Sequence, residues 1–157
     1  MTPRPARIWH LPALARVLWS HTRADDHPRA RSRLSDLVLL NGLRRRDTLR
    51  MVRHGGRITG FLARRDGLIL ALYVSPGARR RGLGRALLRE AKAQTAALSI
   101  WTPQDNAVAR RFYAAEGFVT MGYGDGSGND EALPEVLMVW SANPHHPGQH
   151  RLGRHAA

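Results

Sequence analysis

Two glycines set in a run of arginines are the residues whose types and spacing most directly suggest chemistry. The stretch Leu68-Ile-Leu-Ala-Leu-Tyr-Val-Ser-Pro-Gly-Ala-Arg-Arg-Arg-Gly-Leu-Gly-Arg-Ala-Leu-Leu88 reads as an apolar strand buried on both faces, a tight basic loop and the first turns of a helix. Gly82 and Gly84 lack a Cβ, so backbone N–H groups can approach a ligand closely where the helix begins. Those groups and the positive end of the helix dipole favour an anion, a phosphate above all. Arg79, Arg80, Arg81 and Arg85 deepen the positive field. Taken alone, the stretch fits a diphosphate cradle or an ordinary strand–turn–helix with a basic surface turn, because short glycine motifs also arise by chance.

A second set of residues lies downstream. Asn106, Ala109, Tyr113, Gly117 and Phe118 sit on what reads as a helix over Ala107–Ala115, with Asn106 as its N-cap and Gly117 as its left-handed stop. Val108 and Phe112 share one stripe of that helix, and Ala109 and Tyr113 share the next.

The elements that must position these residues follow from periodicity and turn chemistry. Ala6–Trp9 reads as a first strand, and Leu11, Leu14, Ala15, Leu18 and Trp19 mark an amphipathic helix. His21–Pro28 reads as a loop, and Ser35 as the cap of a second helix that Asn41-Gly42 weakens. Thr48–Val52, Arg57–Ala63 and Leu68–Val74 form a three-strand meander, turned at His54-Gly55-Gly56 and Asp66-Gly67. A helix over Leu83–Ala97, a strand Leu98–Trp101, the Asn106-capped helix, a strand Phe118–Tyr123, a polar loop Gly124–Leu133 and a strand Pro134–Trp140 complete the order. Residues 1–140 read as one domain, and 141–157 as a basic His/Pro/Gly tail without periodicity, expected to be disordered.

Composition bounds the partners. The 157 residues, 43% of them hydrophobic, suffice for a core, and the absence of cysteine removes disulfides, thiolate metal sites and cysteine nucleophiles. No segment approaches the roughly 18 apolar residues of a membrane span, and the N-terminus does not resemble a signal peptide, so a cytoplasmic protein without membrane association is expected. The net charge of +13 invites nucleic acid, but it is almost all arginine, scattered from Arg4 to Arg154 without interleaved aromatics. No specific nucleic-acid partner is expected. Four histidines, at positions 145, 146, 150 and 155, crowd the tail without a fixed ligand geometry, so no metal is expected.

The whole pattern resembles the GNAT superfamily of acetyl-CoA-dependent N-acetyltransferases over about residues 6–140. Two motifs carry the resemblance. One is Arg/Gln-x-x-Gly-x-Gly/Ala, present as Arg79-Arg80-Arg81-Gly82-Leu83-Gly84 after Val74-Ser75-Pro76. The other is Asn-x-x-Ala-x-x-x-Tyr-x-x-x-Gly-Phe, present as Asn106, Ala109, Tyr113, Gly117 and Phe118. Rival nucleotide motifs fail: a Rossmann loop needs a third glycine where Leu87 stands, and no Gly-Lys-Ser/Thr occurs.

The resemblance implies a mixed α/β (α+β) fold, a mostly antiparallel, partly splayed mixed sheet of six or seven strands flanked by about four helices. It implies that acetyl-CoA is the co-substrate, held by Arg79, Arg80, Arg81, Gly82, Leu83, Gly84 and Arg85, with Leu72, Tyr73 and Val74 pairing to the pantetheine arm like an added strand. Asn106 and Phe112 are implied to contact CoA, although Asn106 serves equally as a plain N-cap. Tyr113 matches the general acid that protonates the departing thiolate; the competing reading is a tyrosine packed between helix and sheet. The acceptor is implied to be a small-molecule or peptide amine. Asp25, Asp26, Asp125, Asp130 and Glu131 are candidates for attracting a cationic acceptor, or plain turn formers. The strand before the glycine loop carries no carboxylate, which leaves a water chain, His54, Glu131 or Glu135 as general base. Dimers are common in the family, so a homodimer is one assembly the resemblance allows. Two rival readings stand beside the enzyme: a CoA-binding sensor without catalysis, and a basic nucleic-acid- or ribosome-binding module.

Overall fold

A computed structural model describes residues 1–24, 32–46, 48–129, 132–143 and 145. Among the described residues there are seven strands and four α-helices, in the order β1 (Arg4–Pro5), α1 (Leu11–Ala24), α2 (Arg33–Arg46), β2 (Thr48–His54), β3 (Arg57–Arg65), β4 (Leu68–Val74), α3 (Leu83–Gln94), β5 (Ala97–Pro103), α4 (Ala107–Ala115), β6 (Val119–Gly124) and β7 (Glu135–Ser141). This is the mixed α+β fold expected from the sequence. The chain divides into two compact units, Met1–Gln94 and Thr95–Ala157, at a boundary without linker-like composition.

In the first unit, β1 to β4 pair antiparallel in sequence order. The β2–β3 hairpin turns through Gly55 and Gly56 at φ of 57° and 75°, a conformation glycine adopts without steric cost. Two bulges follow from the register. Thr59 on β3 is skipped between the pairs Val52–Gly60 and Arg53–Ile58, and Leu70 on β4 between Ala63–Ala71 and Arg64–Ile69. Such extra residues bend a strand locally and re-aim its side chains. Gly60 holds β3 close to β4, because a Cβ there would lie 3.1 Å from the Tyr73 carbonyl oxygen and 3.0 Å from a Val52 methyl.

The core of this unit joins Leu14, Ala15 and Val17 of α1 and Leu40 of α2 to Leu49, Met51, Phe61 and Ala63 of the sheet. Leu14 and Ala15 belong to the amphipathic stripe read from the sequence, its other members Leu11, Leu18 and Trp19 pack partly buried against this core, and Val17 joins it from outside that stripe. Leu83, Leu87, Leu88 and Ala91 are the buried side chains of α3. Burying each leucine contributes about 1.5–3 kcal/mol. Arg50 of β2 forms an ion pair with Glu90 of α3, and Arg64 of β3 donates to Gln94, so polar contacts also fix α3 to the sheet.

Several elements depart from the sequence reading. The expected strand Ala6–Trp9 is replaced by Arg4–Pro5, followed by a 3-10 turn over Ile8–His10. His10 causes this. Its Nδ1 accepts the Arg7 N–H at 3.0 Å and its own N–H bonds the Arg7 carbonyl, closing a turn where a strand would have to stay extended. Helix α1 continues through His21 to Ala24, into the expected loop, whose remaining residues lie outside the described ones. Ser32, not Ser35, sits at the head of α2: its hydroxyl accepts the Ser35 N–H at 3.2 Å. The Asn41-Gly42 pair does not break α2, since Asn41 is tied to Arg44 one turn on. In β4 only Ile69 is buried, and the other residues keep part of their surface exposed.

In the second unit, β7 is central and pairs antiparallel with β5 and β6. Gly117 follows α4 with φ of 87°, the left-handed stop expected from its place. The loop after β6 is tightly folded. Asn129 bonds both backbone groups of Leu133, and a Cβ on Gly126, itself at φ of 88°, would lie 2.5 Å from the Leu133 carbonyl oxygen. The tail expected to be disordered lies almost wholly outside the described residues.

Candidate functional site

The glycine loop is held from both ends. Upstream, Ser75 N–H bonds the Thr59 carbonyl at 2.8 Å, and a 3-10 turn over Pro76–Ala78 buries the Ala78 side chain. Downstream, Leu83 is 1% exposed and anchors the start of α3 in the core, so it can offer a ligand only its backbone. Between these anchors Arg80 has φ of 60° and Gly82 φ of 75°. The left-handed region costs a residue with a side chain roughly 1–2 kcal/mol, and such conformations gather at ligand clamps.

These two turns bring the backbone to the head of α3, where the Ala86 N–H makes the first helical bond, 2.9 Å to the Gly82 carbonyl. The helix therefore has no carbonyl of its own to offer the Leu83 and Gly84 N–H groups. Nothing lies within 4 Å of where a Cβ would stand on Gly82. Open space beside Gly82, at the positive end of the helix dipole, leaves room for a diphosphate. The residues present thus fit CoA.

Arginine roles divide. Arg79 folds back, its Nε donating to the Val74 carbonyl at 3.2 Å, so it braces the strand exit. Arg80, Arg81 and Arg85 are exposed. Along β4, Leu72, Tyr73 and Val74 pair with Leu62, Phe61 and Gly60, and the Tyr73 ring meets Phe61 edge-on at 5.5 Å.

In the second unit, α4 positions the other motif. Asn106 caps it: its Oδ1 accepts the Ala109 N–H at 3.1 Å, so the capping geometry is the one adopted. Tyr113 is 5% exposed, its ring edge-on to Phe112 and Phe118 at 5.2 and 5.3 Å. Two aromatic neighbours fix the ring plane and leave the hydroxyl as the polar tip. Glu135 opens β7 half-buried, whereas His54 is exposed at the end of β2.

The acidic candidates are less informative. Asp25, Asp26, Asp130 and Glu131 lie outside the described residues. Asp125 is exposed and accepts the Ser127 N–H at 2.9 Å, the turn-forming use of aspartate. Hydrogen bonds from Ser127 hold its carboxyl below the usual range, so it is ionised at neutral pH. No group of three or more metal-ligating side chains occurs among the described residues, and no described helix is long and apolar enough to cross a membrane.

Sequence motifs did not flag a cavity of about 640 Å³ lined by Thr2, Arg4, Pro5, Arg7, Trp9, His10, Met51 and Arg53. It contains none of the candidates above. Its lining comes from two segments more than 40 positions apart, residues 2–10 and 51–53, a separation no local pattern reports.

Comparison with known proteins places the strand–loop–helix and the α4 motif among acetyltransferase-like folds. Residues 46–120 match the Acetyltransferase (GNAT) domain. Over those residues the chain is similar to the GNAT acetyltransferases. It is 36% identical over 87 residues to the peptidyl-lysine N-acetyltransferase YiaC of Escherichia coli, an alignment covering 54% of this chain and 58% of that protein. Similar folds include a GNAT-family acetyltransferase from Bacillus cereus, with a TM-score of 0.73 and 20% identity over 89% of this chain and 96% of that one. Another is yncA of Salmonella typhimurium, solved with acetyl-CoA, with a TM-score of 0.69 and 18% identity over 94% and 97% of the two chains.

Proposed function

We propose that the chain transfers an acetyl group from acetyl-CoA to an amine by direct attack on the thioester. The observation that carries this reading is the left-handed Gly82 facing open space at the head of α3. Bound acetyl-CoA supplies the activated acyl carbon. The N–H groups of Gly82, Leu83 and Gly84 hold its diphosphate, with Arg80, Arg81 and Arg85 contributing positive field. Backbone groups of Leu72–Val74 receive the pantetheine arm as an added strand. The acetyl-CoA in the yncA structure supports this choice of donor.

Tyr113 donates its phenolic proton to the departing CoA sulfur, which would otherwise leave as a thiolate. A phenol of ordinary pKa near 10 is protonated at neutral pH and can do this. Its burial between two aromatic rings also suits a packing tyrosine, so turnover, not geometry, decides the role. The acceptor ammonium must first lose a proton. In this reading Glu135 takes it, as the half-buried carboxylate among the described base candidates. The acceptor is an amine of a peptide or small molecule; the peptidyl-lysine activity of YiaC favours a lysine side chain.

The test is CoA-thiol release from acetyl-CoA against a panel of lysine peptides, N-terminal peptides, polyamines and amino acids. The expected result is release that depends on one amine class. CoA binding without release for any amine would favour the sensor reading. Salt-sensitive nucleic-acid binding without CoA binding would favour the basic-module reading.

A further inference from the structure

We propose that the cavity beside β1 and β2 is a second anion site, built to take the phosphate group of a small molecule and separate from the CoA loop. In the first unit's sheet, β1 and β4 lie at opposite ends of the order β1-β2-β3-β4. With strands about 4.8 Å apart, β2 lies about 10 Å from β4, so the two anion sites do not merge.

Volume and lining both suit a small anion. About 640 Å³ falls within the range of small-molecule pockets. Arg4 comes from β1, Arg7 and His10 from the turn that follows, and Arg53 from β2; among the described residues no carboxylate lines the cavity. Three arginines on one concave face concentrate anions.

The geometry is organised in advance. Arg53 is fixed by its Nη1, which donates to the Gly56 carbonyl at 3.1 Å, while its Nη2 stands 3.5 Å from His10 Nε2. His10 Nδ1 already accepts the Arg7 N–H at 3.0 Å. In a neutral His10 the ring proton must therefore sit on Nε2, so two donors face each other across 3.5 Å. An acceptor oxygen would satisfy both, and a phosphate carries several. Arg7 lies over Trp9 at 5.3 Å, and Trp9 is 65% exposed, leaving indole surface for whatever the phosphate is attached to.

His10 reports on occupancy. Burial first, then the charges of Arg53 and Arg7, hold its pKa below the usual 6.5. A bound anion offsets the charges of Arg53 and Arg7, though not the burial, so it should raise that pKa, and by linkage its affinity should grow as pH falls through the free protein's value. Phosphate itself titrates near pH 6, whereas sulfate does not, so sulfate gives the clean pH series.

The experiment follows the His10 ring by NMR in CoA-saturated protein while inorganic phosphate, sulfate, ribose 5-phosphate and AMP are titrated separately. Expected are a raised His10 pKa, and a Kd weakened about tenfold or more by Arg53→Ala but not by Arg57→Ala on the same hairpin. AMP binding more tightly than ribose 5-phosphate would identify a nucleotide that uses Trp9; equal binding would identify the phosphate alone, and either supports the site. The proposal falls if no anion moves His10, if Arg57→Ala weakens binding as much as Arg53→Ala, or if CoA competes for binding. It also falls if a short oligonucleotide binds far more tightly than any of these with a steep salt dependence, since the cavity would then belong to a nucleic-acid surface.

Discussion

The two anion sites proposed for the first unit are made from different materials. At the head of α3 the donors are backbone N–H groups, presented by one left-handed arginine and one left-handed glycine within three residues. At the β1–β2 end the donors are side chains from Arg4, Arg7, His10 and Arg53. A backbone site must be written into a contiguous segment, because only local dihedrals aim its N–H groups. A side-chain site can be assembled from distant segments, provided the fold brings them together. The first kind leaves a motif in the sequence and the second does not.

Substitution should separate the two kinds, with the largest effect where conformation itself is altered. Gly82→Val places a β-branched residue at φ of 75° and fills the open approach. The acetyl-CoA Kd, measured by calorimetry, should weaken by about a hundredfold, while Arg81→Ala next to it weakens binding only about threefold; equal losses would mean that side chains, not backbone, hold the donor. Tyr113→Phe tests chemistry without touching either anion site. It should lower kcat about 10- to 100-fold and leave the acetyl-CoA Kd within about twofold, and unchanged turnover across pH would return Tyr113 to packing alone.

Smaller effects follow. Arg79→Ala removes the brace on the Val74 carbonyl, so the acetyl-CoA KM should rise only about two- to fivefold. A loss as large as that of Gly82→Val would move Arg79 into the ligand's shell. Last, Glu135→Gln should lower kcat by about tenfold and leave the acetyl-CoA Kd within about twofold if Glu135 takes the proton, and unchanged kcat would hand that step to a water chain.

The order of elements was legible because turn chemistry and periodicity marked it. Gly55, Gly56, Asp66 and Gly117 each stand at positive φ at a turn or helix end. The first strand was not legible, because the turn that displaces it depends on a His10 side chain accepting a backbone N–H, which no hydrophobic pattern records. Ser35 was read as a cap because it is the right residue type, but Ser32 stands directly before the first helical residue. On the site side, the glycine loop and the Asn106–Phe118 motif stood out in the sequence, and Asn106 caps α4 through its bond from Ala109. The side-chain cavity was missed because arginines scattered along a chain look like a solvated surface until β1 and β2 are paired.

Gly60 carries one more consequence. A methyl group there would meet the Tyr73 carbonyl at 3.1 Å, on the strand proposed to receive the pantetheine arm. The alignment of that strand is therefore set from behind, by the absence of a side chain on its neighbour. In engineering terms position 60 is a tolerance gauge: a single carbon added outside the ligand's reach would offset the whole acyl track by a few tenths of an ångström.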